Sequence, residues 1–259
     1  MQDELLYSAS DGIAHVTFNR PGARNALTFA MYERLAEICD ALASDRSVRA
    51  LIVTGAGPDA FAAGTDIAQF RTFRTSEDAL GYEAMLDRVV GAVERCPVPT
   101  IAAIAGACTG GGASIAGACD LRIAAANLRF GFPVARTLGN CLSAANTARL
   151  TALIGPARVT DIIFTARLIE AEEARAIGLV GEILADAEAL AARALSLAQR
   201  IASHAPLTLR ATKEMLRRVL PPVAPGTGDD LVLSCYLSED FREGMTAFLE
   251  KRPAKFKGA

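Results

Sequence analysis

Three consecutive glycines, Gly110, Gly111 and Gly112, sit in the middle of an uncharged stretch from Cys96 to Cys119, CPVPTIAAIAGACTGGGASIAGAC. Val98 to Ala105 reads as a buried strand, and Gly112 to Ala118 as a helix of small residues. A strand that turns on glycines into a buried helix presents unpaired N–H groups at the helix N-terminus, where the dipole favours negative charge. Glycine also lets a ligand come close to that backbone. The chemistry such a turn could do is to hold an anion or oxyanion on main-chain donors. The same glycines would equally serve close helix packing, and at this point both readings stand. A membrane span of similar length is opposed by five glycines and by Pro99. A second glycine turn, Phe61-Ala62-Ala63-Gly64-Thr65-Asp66-Ile67, also lies between a strand and a helix. If the two turns converge, two backbone donors aim at one oxygen. Neither has the GxGxxG spacing or the Lys-Ser/Thr of a nucleotide loop.

Side-chain chemistry has fewer candidates. Six cysteines, at 39, 96, 108, 119, 141 and 235, are scattered without a CxxC pair, which suits reduced, buried thiols. Cys108 and Cys141 lie nearest the glycine turn, but the two histidines, His15 and His204, are remote in sequence, so a thiol–imidazole pair is not evident. No ligand set for zinc is visible, and no metal is expected. The 27 Lys plus Arg against 29 Asp plus Glu leave a net charge of −2, which offers no field for nucleic acid or an anionic membrane. The acidic N-terminal residues lack the apolar core of a targeting signal, so the cytoplasm is the expected compartment.

The elements that position these turns alternate. Leu5–Tyr7 and Ile13–Phe18 flank Ser10-Asp11-Gly12, a hairpin signal. Thr28 caps a helix with Met31, Leu35, Ile38, Cys39 and Leu42 on one face, and Ala50–Thr54 follows as a buried strand. From Ser76 a second amphipathic helix runs through Leu80, Met85, Leu86, Val89, Val90 and Val93. Beyond Arg158 the pattern is helical, with a short strand at Leu179–Leu184. After the linker Pro221–Gly228, Asp229–Lys251 forms a helix-rich tail whose apolar residues have no evident room in the first core. These are expected to pack on another subunit. At 259 residues, one large core with an appendage is expected.

Several ordered motifs resemble the enoyl-CoA hydratase/isomerase (crotonase) family: Asn19-Arg20-Pro21 with Asn25-Ala26-Leu27, then FAAGTDI, then GACTGGG followed by CDLRIA. GPARVTDIIFTARLIEAEEARAIGLV and SEDFREGMTAFLEKRPAKF extend the likeness over nearly the whole chain. The resemblance implies an α/β fold, a crotonase-like spiral of ββα units over residues 1–200 with a C-terminal helical trimerisation region at 201–259. It implies acyl-CoA thioester substrates, no cofactor beyond their CoA moiety, and a homotrimer or homohexamer. It also places the thioester oxygen on the backbone N–H groups of Thr65 and Gly111, where only the backbone of Thr65 is expected to act. The CoA moiety would lie along Ala23, Arg24, Ala63, Asp66, Ile67 and Ala68, with Phe248 and Lys251 from the tail. Arg24 and Lys251 would meet phosphates, and Asp66 would cap a helix or hold its loop rather than transfer protons.

The departures matter as much. Hydratases of this family carry one glutamate three positions after the central glycine of GGG and another after the proline of a later F-G-x-P turn. Here these positions hold Ser114 and Val134, or Ala135 with a one-residue shift. Ser143 stands near a third position where some members carry an aspartate. Arg136 and Asn140 remain as the polar candidates, to hold an acyl carboxylate and to orient it or a water. The expected function is an acyl-CoA enzyme that stabilises a thioester enolate, with ordinary hydration in doubt. The alternatives are decarboxylation or C–C cleavage of a β-substituted acyl-CoA, by a lyase or a hydrolase, a residual isomerase, and a catalytically silent acyl-CoA binder.

Overall fold

The structure is a computed structural model that describes residues 3–219 and 221–259. The chain opens with β1 (Leu5–Ser10) and β2 (Ile13–Phe18), followed by α1 (Phe29–Ala41), β3 (Ala50–Gly55) and β4 (Ala60–Ala63). A 3-10 helix, Ile67–Thr72, leads into α2 (Ser76–Arg95), β5 (Thr100–Ile104), β6 (Ala107–Thr109) and α3 (Gly111–Ala118). Then come β7 (Leu121–Ala125), β8 (Arg129–Gly131), α4 (Val134–Thr137), α5 (Ala144–Ile154) and α6 (Pro156–Phe164). β9 (Ile169–Glu170), α7 (Ala171–Ala176) and β10 (Glu182–Leu184) complete the sheets. Four helices follow: α8 (Ala187–Ala202), α9 (Pro206–Val219), α10 (Asp229–Tyr236) and α11 (Glu239–Leu249).

The larger sheet has the order β1-β2-β3-β5-β7-β10, parallel except for the first hairpin, and the smaller has the order β4-β6-β8-β9. The chain therefore spirals. β3, β5 and β7 lie side by side in the large sheet, and each is followed by its successor, β4, β6 or β8, side by side in the small one. These are the ββα turns that the resemblance implied. Both faces of the sheet's centre are covered, so β3 and β5 are apolar along most of their length and their residues alternate between two cores. Leu51, Val53, Ala102 and Ile104 face the main core with α1, α2 and α3. Ile52, Ile101, Ala103 and Ile123 face the other, which α8 closes with Leu190, Ala194, Leu197 and Ile201.

Local signals set the boundaries. Asp11 and Gly12 both have positive φ, 52° and 78°, the combination a two-residue hairpin turn requires. Thr28 caps α1 by accepting from the Met31 N–H, and Thr75 with Asp78 makes a capping box for α2. The strand expected over Val98–Ala105 is β5, Thr100–Ile104, and a second short strand that was not expected, β6, follows a break at Gly106. There φ is +63°, and a Cβ would fall 2.0 Å from the Asp59 carbonyl oxygen. The strand expected at Leu179–Leu184 shortens to β10.

The tail corrects a second expectation. Val232, Tyr236, Phe241 and Ala247 are buried within the same chain, the first three in its main core. Tyr236 and Phe241 have ring centroids 4.8 Å apart, and Tyr236 reaches Tyr82 of α2 at 6.1 Å. Aromatic rings whose partners come from α2 and the 3-10 helix found room that a linear reading of the core could not allot. Leu231 and Phe248 stay exposed, while Leu233 and Met245 pack partly against the core. α9 has no buried residue among those described, and its Leu207, Met215, Leu216 and Val219 are all exposed.

Because Gly106 combines a positive φ with backbone contact, Gly106→Ala should lower stability by about 3 kcal/mol. The check is urea denaturation, with a reduced midpoint at unchanged slope.

Candidate active site

The two glycine turns meet. A Cβ built on Gly110 would lie 3.5 Å from the Gly64 Cα, and one on Gly111 would lie 3.4 Å from Thr65 Oγ1. Leu27 bridges Thr65 in a parallel fashion, its N–H donating to the Gly64 carbonyl (2.8 Å) and its carbonyl accepting from the Asp66 N–H (2.8 Å). That pattern turns the Thr65 N–H to the opposite side, away from the bridge. Gly111 is the first residue of α3, where no intrahelical acceptor exists for its N–H. Thr65, Gly111 and their neighbours Ala63, Gly64, Thr109 and Gly110 line one cavity. Its volume of about 150 Å³ is roughly ten times what one water needs.

The motif residues before β4 hold this geometry. Asn25, fully buried, donates from Nδ2 to the Ala60 carbonyl at 2.7 Å and accepts from the Arg20 N–H at 3.0 Å. Arg20 pairs with Asp66 at 2.9 Å, and Asp66 Oδ1 accepts from the Ala68 N–H at 3.1 Å. Asp66 thus caps the 3-10 helix and ties down the loop. The side chain of Thr65 is not idle: Oγ1 is hydrogen-bonded to both Tyr32 Oη (2.8 Å) and Tyr82 Oη (2.7 Å). A Cβ on Gly111 would come within 1.8 Å of the same Tyr32 oxygen, so glycine is required there. Burial pushes both tyrosine hydroxyls far above their ordinary pKa, which keeps this chain neutral.

Of the remaining candidates, Ile67, Phe248 and Asn140 line the cavity, as do Ser114 and Val134. Ala23, Arg24, Asp66, Ala68 and Lys251 do not line it. The loop of Ala23 and Arg24 borders it through the Arg24 carbonyl, which accepts from the Ala63 N–H at 3.0 Å, and the Lys251 N–H donates to the Phe248 carbonyl. Arg136 is a correction: it is exposed and off the cavity wall. On α4, Val134, Thr137 and Leu138 share the lining face by helical spacing, and position 136 falls on the other. Ser143 caps α5 and donates to Asp87 Oδ1 at 2.6 Å, with Asn146 Nδ2 donating to the same oxygen at 3.2 Å. Cys141 lines the cavity beside Cys235, and Cys108 is buried with its thiol pushed up. Neither histidine lines the cavity, and no cluster that could hold a metal ion occurs among the described residues.

The sequence reading missed a carboxyl group. Glu83 of α2, 6% exposed, lines the cavity. Its Oε1 accepts from Tyr236 Oη at 2.5 Å, and Tyr236 Oη accepts from Asn140 Nδ2 at 3.0 Å. Burial pushes the Glu83 pKa up to about 7; the Tyr236 hydroxyl and the Ser143 amide pull down, and Asp87 pushes up. Glu83 stands three residues from both Leu80 and Leu86, within the apolar stripe of the helix, and a charge in that stripe was the available signal. Four buried side-chain polar atoms lack a partner among the described residues: Glu83 Oε2, Ser114 Oγ, Asn140 Oδ1 and Arg149 Nε. The first three belong to residues lining this cavity.

The enoyl-CoA hydratase/isomerase family profile matches residues 8–259. This chain belongs to that family. It is similar to the short-chain-enoyl-CoA hydratase of Clostridium acetobutylicum, 36% identical with 96% of each chain covered. It also resembles a solved enoyl-CoA hydratase/carnithine racemase from Magnetospirillum magneticum (TM-score 0.81, 35% identity, 100% of this chain and 97% of that one). A methylmalonyl-CoA decarboxylase in complex with 2-nitronate-propionyl-CoA superposes with a TM-score of 0.88 at 28% identity, 100% of both chains covered. The family is one of acyl-CoA enzymes, and the crotonase-like spiral is shared with these structures.

Thr65→Ala should cost about 1–2 kcal/mol of stability, since it strands two buried tyrosine hydroxyls, while Thr65→Ser should restore most of it. Thermal unfolding of the pair checks this.

Proposed function

We propose that this protein binds acyl-CoA thioesters with the carbonyl oxygen between the N–H groups of Thr65 and Gly111 and acts through the resulting enolate. The observation that carries the reading is the convergence of two free backbone donors at one cavity. Such fixed dipoles need no reorganisation as charge develops, and losing one typically costs about 3 kcal/mol of transition-state stabilisation. Phe248, Ile67 and Ala63 form the wall along the CoA arm, with Arg24 and Lys251 placed on bordering loops to meet phosphates, and no cofactor is needed beyond the CoA of the substrate.

Ser114 and Val134 stand on the cavity wall where family hydratases carry glutamates. Neither group exchanges a proton near neutral pH, so the pair of transfers required to add water is unsupported at those positions. A substrate that carries its own leaving group suits the site better. In decarboxylation the bond from Cα to the carboxylate breaks, carbon dioxide leaves, and the electron pair stays on Cα as the enolate held by the two donors. The likeness to a methylmalonyl-CoA decarboxylase supports decarboxylation as chemistry open to this fold. C–C cleavage of another β-substituted acyl-CoA uses the same enolate.

For assembly we propose a homotrimer or homohexamer in the cytoplasm, with the exposed apolar side chains of α9, Leu231 and Phe248 as contacts. No described helix is long and apolar enough to cross a membrane, and the net charge of −2 does not favour nucleic acid.

Malonyl-CoA or methylmalonyl-CoA should be decarboxylated faster than crotonyl-CoA is hydrated, and Gly111→Pro, which deletes one donor, should cut turnover about 100-fold or more in protein that still folds. Efficient crotonyl-CoA hydration would overturn the lyase reading, and binding without any turnover would make the chain a silent acyl-CoA binder. With a 27.2 kDa chain, light scattering should give about 82 kDa or about 163 kDa. A monomer at micromolar concentration would refute the assembly.

A further inference from the structure

Glu83 stands where neither family glutamate would be. It comes from α2, whereas Ser114 comes from α3 and Val134 from α4. Its two oxygens are not equivalent. Oε1 receives the Tyr236 hydroxyl proton, and that hydroxyl is itself supplied by Asn140 Nδ2, so the hydrogen-bond chain runs in one direction, from Asn140 to Tyr236 to Glu83. A hydroxyl has a single proton to give, and this polarity occupies Oε1 as an acceptor. When the carboxyl group is neutral its proton therefore sits on Oε2, the oxygen that has no protein partner. A buried polar atom without a partner costs free energy, and a native fold that retains one at a cavity wall is set up to meet a ligand there. We infer that Glu83 is the catalytic proton-transfer residue of this site, exchanging a proton between Oε2 and Cα of the bound thioester.

The step balances. In the forward direction the Oε2–H bond breaks, Cα of the enolate takes the proton with its own electron pair, the thioester carbonyl reforms, and Glu83 is left as a carboxylate. In reverse the carboxylate removes the Cα proton, and the electron pair moves onto the oxygen held by Thr65 and Gly111. The carboxylate left after protonation regains its proton from solvent. One carboxyl group that can run both ways suits protonation of a decarboxylation enolate, and it does not supply the separate second group that hydration calls for. With its pKa pushed up to about 7, both protonation states are available near neutral pH. Asn140 and Tyr236 are positioning residues that fix which oxygen carries the proton.

The groups facing Glu83 come from several elements. Asp87 and Tyr82 share α2, Tyr236 lies on α10, Tyr32 lies on α1, and Cys141, with Cys235 of α10 beside it, lies before α5. Asp87 is in turn biased by Arg149 and Asp229. The Cys235 thiol, beside Cys141, is pulled down and also titrates near neutrality, so it needs its own control.

The inference rests on the cavity being an acyl-CoA site, and the test separates the two. Butyryl-CoA in deuterium oxide, followed by NMR, reports exchange of the Cα protons without presupposing the net reaction. Wild-type protein should bind butyryl-CoA and exchange these protons, with a rate that rises with pH to a plateau through a midpoint near 7, as the carboxylate forms. Glu83→Gln should bind within a few-fold of wild type and exchange at least 100-fold more slowly. Tyr236→Phe removes a hydrogen bond that favours the charged form, so the midpoint should move upward by about one unit, a change that loss of packing alone would not produce. Cys235→Ser should leave the midpoint in place. Exchange by Glu83→Gln at the wild-type rate, absence of exchange in wild type that binds the thioester, or a midpoint that follows Cys235→Ser would each overturn the role of Glu83 while leaving the acyl-CoA site standing. Failure of wild type to bind butyryl-CoA would overturn that underlying reading, and this one with it.

Discussion

Contact between the Gly64 and Gly110 turns is the constraint on which the rest of this molecule depends. A backbone N–H kept free in a folded interior is costly, and two of them facing one point require two loops to approach within the distance that only glycine allows. The spiral supplies the approach. β4 and β6 are adjacent in the small sheet, so the turns that leave their ends are neighbours although 46 residues separate Thr65 from Gly111. A Cβ on Gly112 would fall 2.4 Å from the Ala62 carbonyl, so the start of α3 lies directly against β4. Tyr32 then closes the arrangement from α1, its hydroxyl against Gly111 and bonded to Thr65. Side chains here serve to hold main chain still.

The same helix carries a buried and a half-buried carboxyl group one turn apart, and their surroundings assign them different work. Asp87 Oδ1 accepts from Ser143 and from Asn146, and Arg149 lies near enough to oppose the effect of burial. Those partners fasten α2 to α5. Glu83 has a single hydroxyl on one oxygen and none on the other, so burial prevails and the neutral form is retained to higher pH. Burial raises the pKa of both groups, but Asp87 is fastened between Ser143 and Asn146, whereas Glu83 leaves one oxygen without a partner on the cavity wall.

Periodicity made the scaffold legible. α1, α2 and α8 follow from caps and apolar spacing, α3 from its glycine start and run of small residues, and the first hairpin from Asp11-Gly12, because these are local rules that tertiary contacts reinforce. The small sheet was not legible: β6, β8 and β9 run three, three and two residues, too short for any alternation to register. The meeting of the two turns was legible because glycines mark backbone positions directly. Arg136 was misplaced since one turn of helix, α4, decides which of its residues face inward, and a four-residue helix has no readable face in sequence. Tyr236 meets Glu83 across 153 residues, a juxtaposition set by how the tail folds back. No spacing rule spans that distance.

A fold that builds its electrophile-stabilising donors from main chain separates that function from the side chains around it. Replacing a glutamate on α3 by Ser114 leaves the Gly111 N–H where it was, since helix start and turn are fixed by Gly110, Gly112 and the Ala62 carbonyl rather than by position 114. Replacing another on α4 by Val134 costs only a charge on the wall. Proton-transfer groups can therefore be lost from those two helices, or arise on a third, with no change in where the proposed backbone donors sit. Any new group must still satisfy burial: it needs enough hydrogen bonding to be tolerated and little enough to keep a proton in play. Position 83 meets both conditions, because the Tyr236 hydroxyl satisfies one oxygen and the cavity leaves the other bare. Position 87, one turn along the same helix, meets only the first.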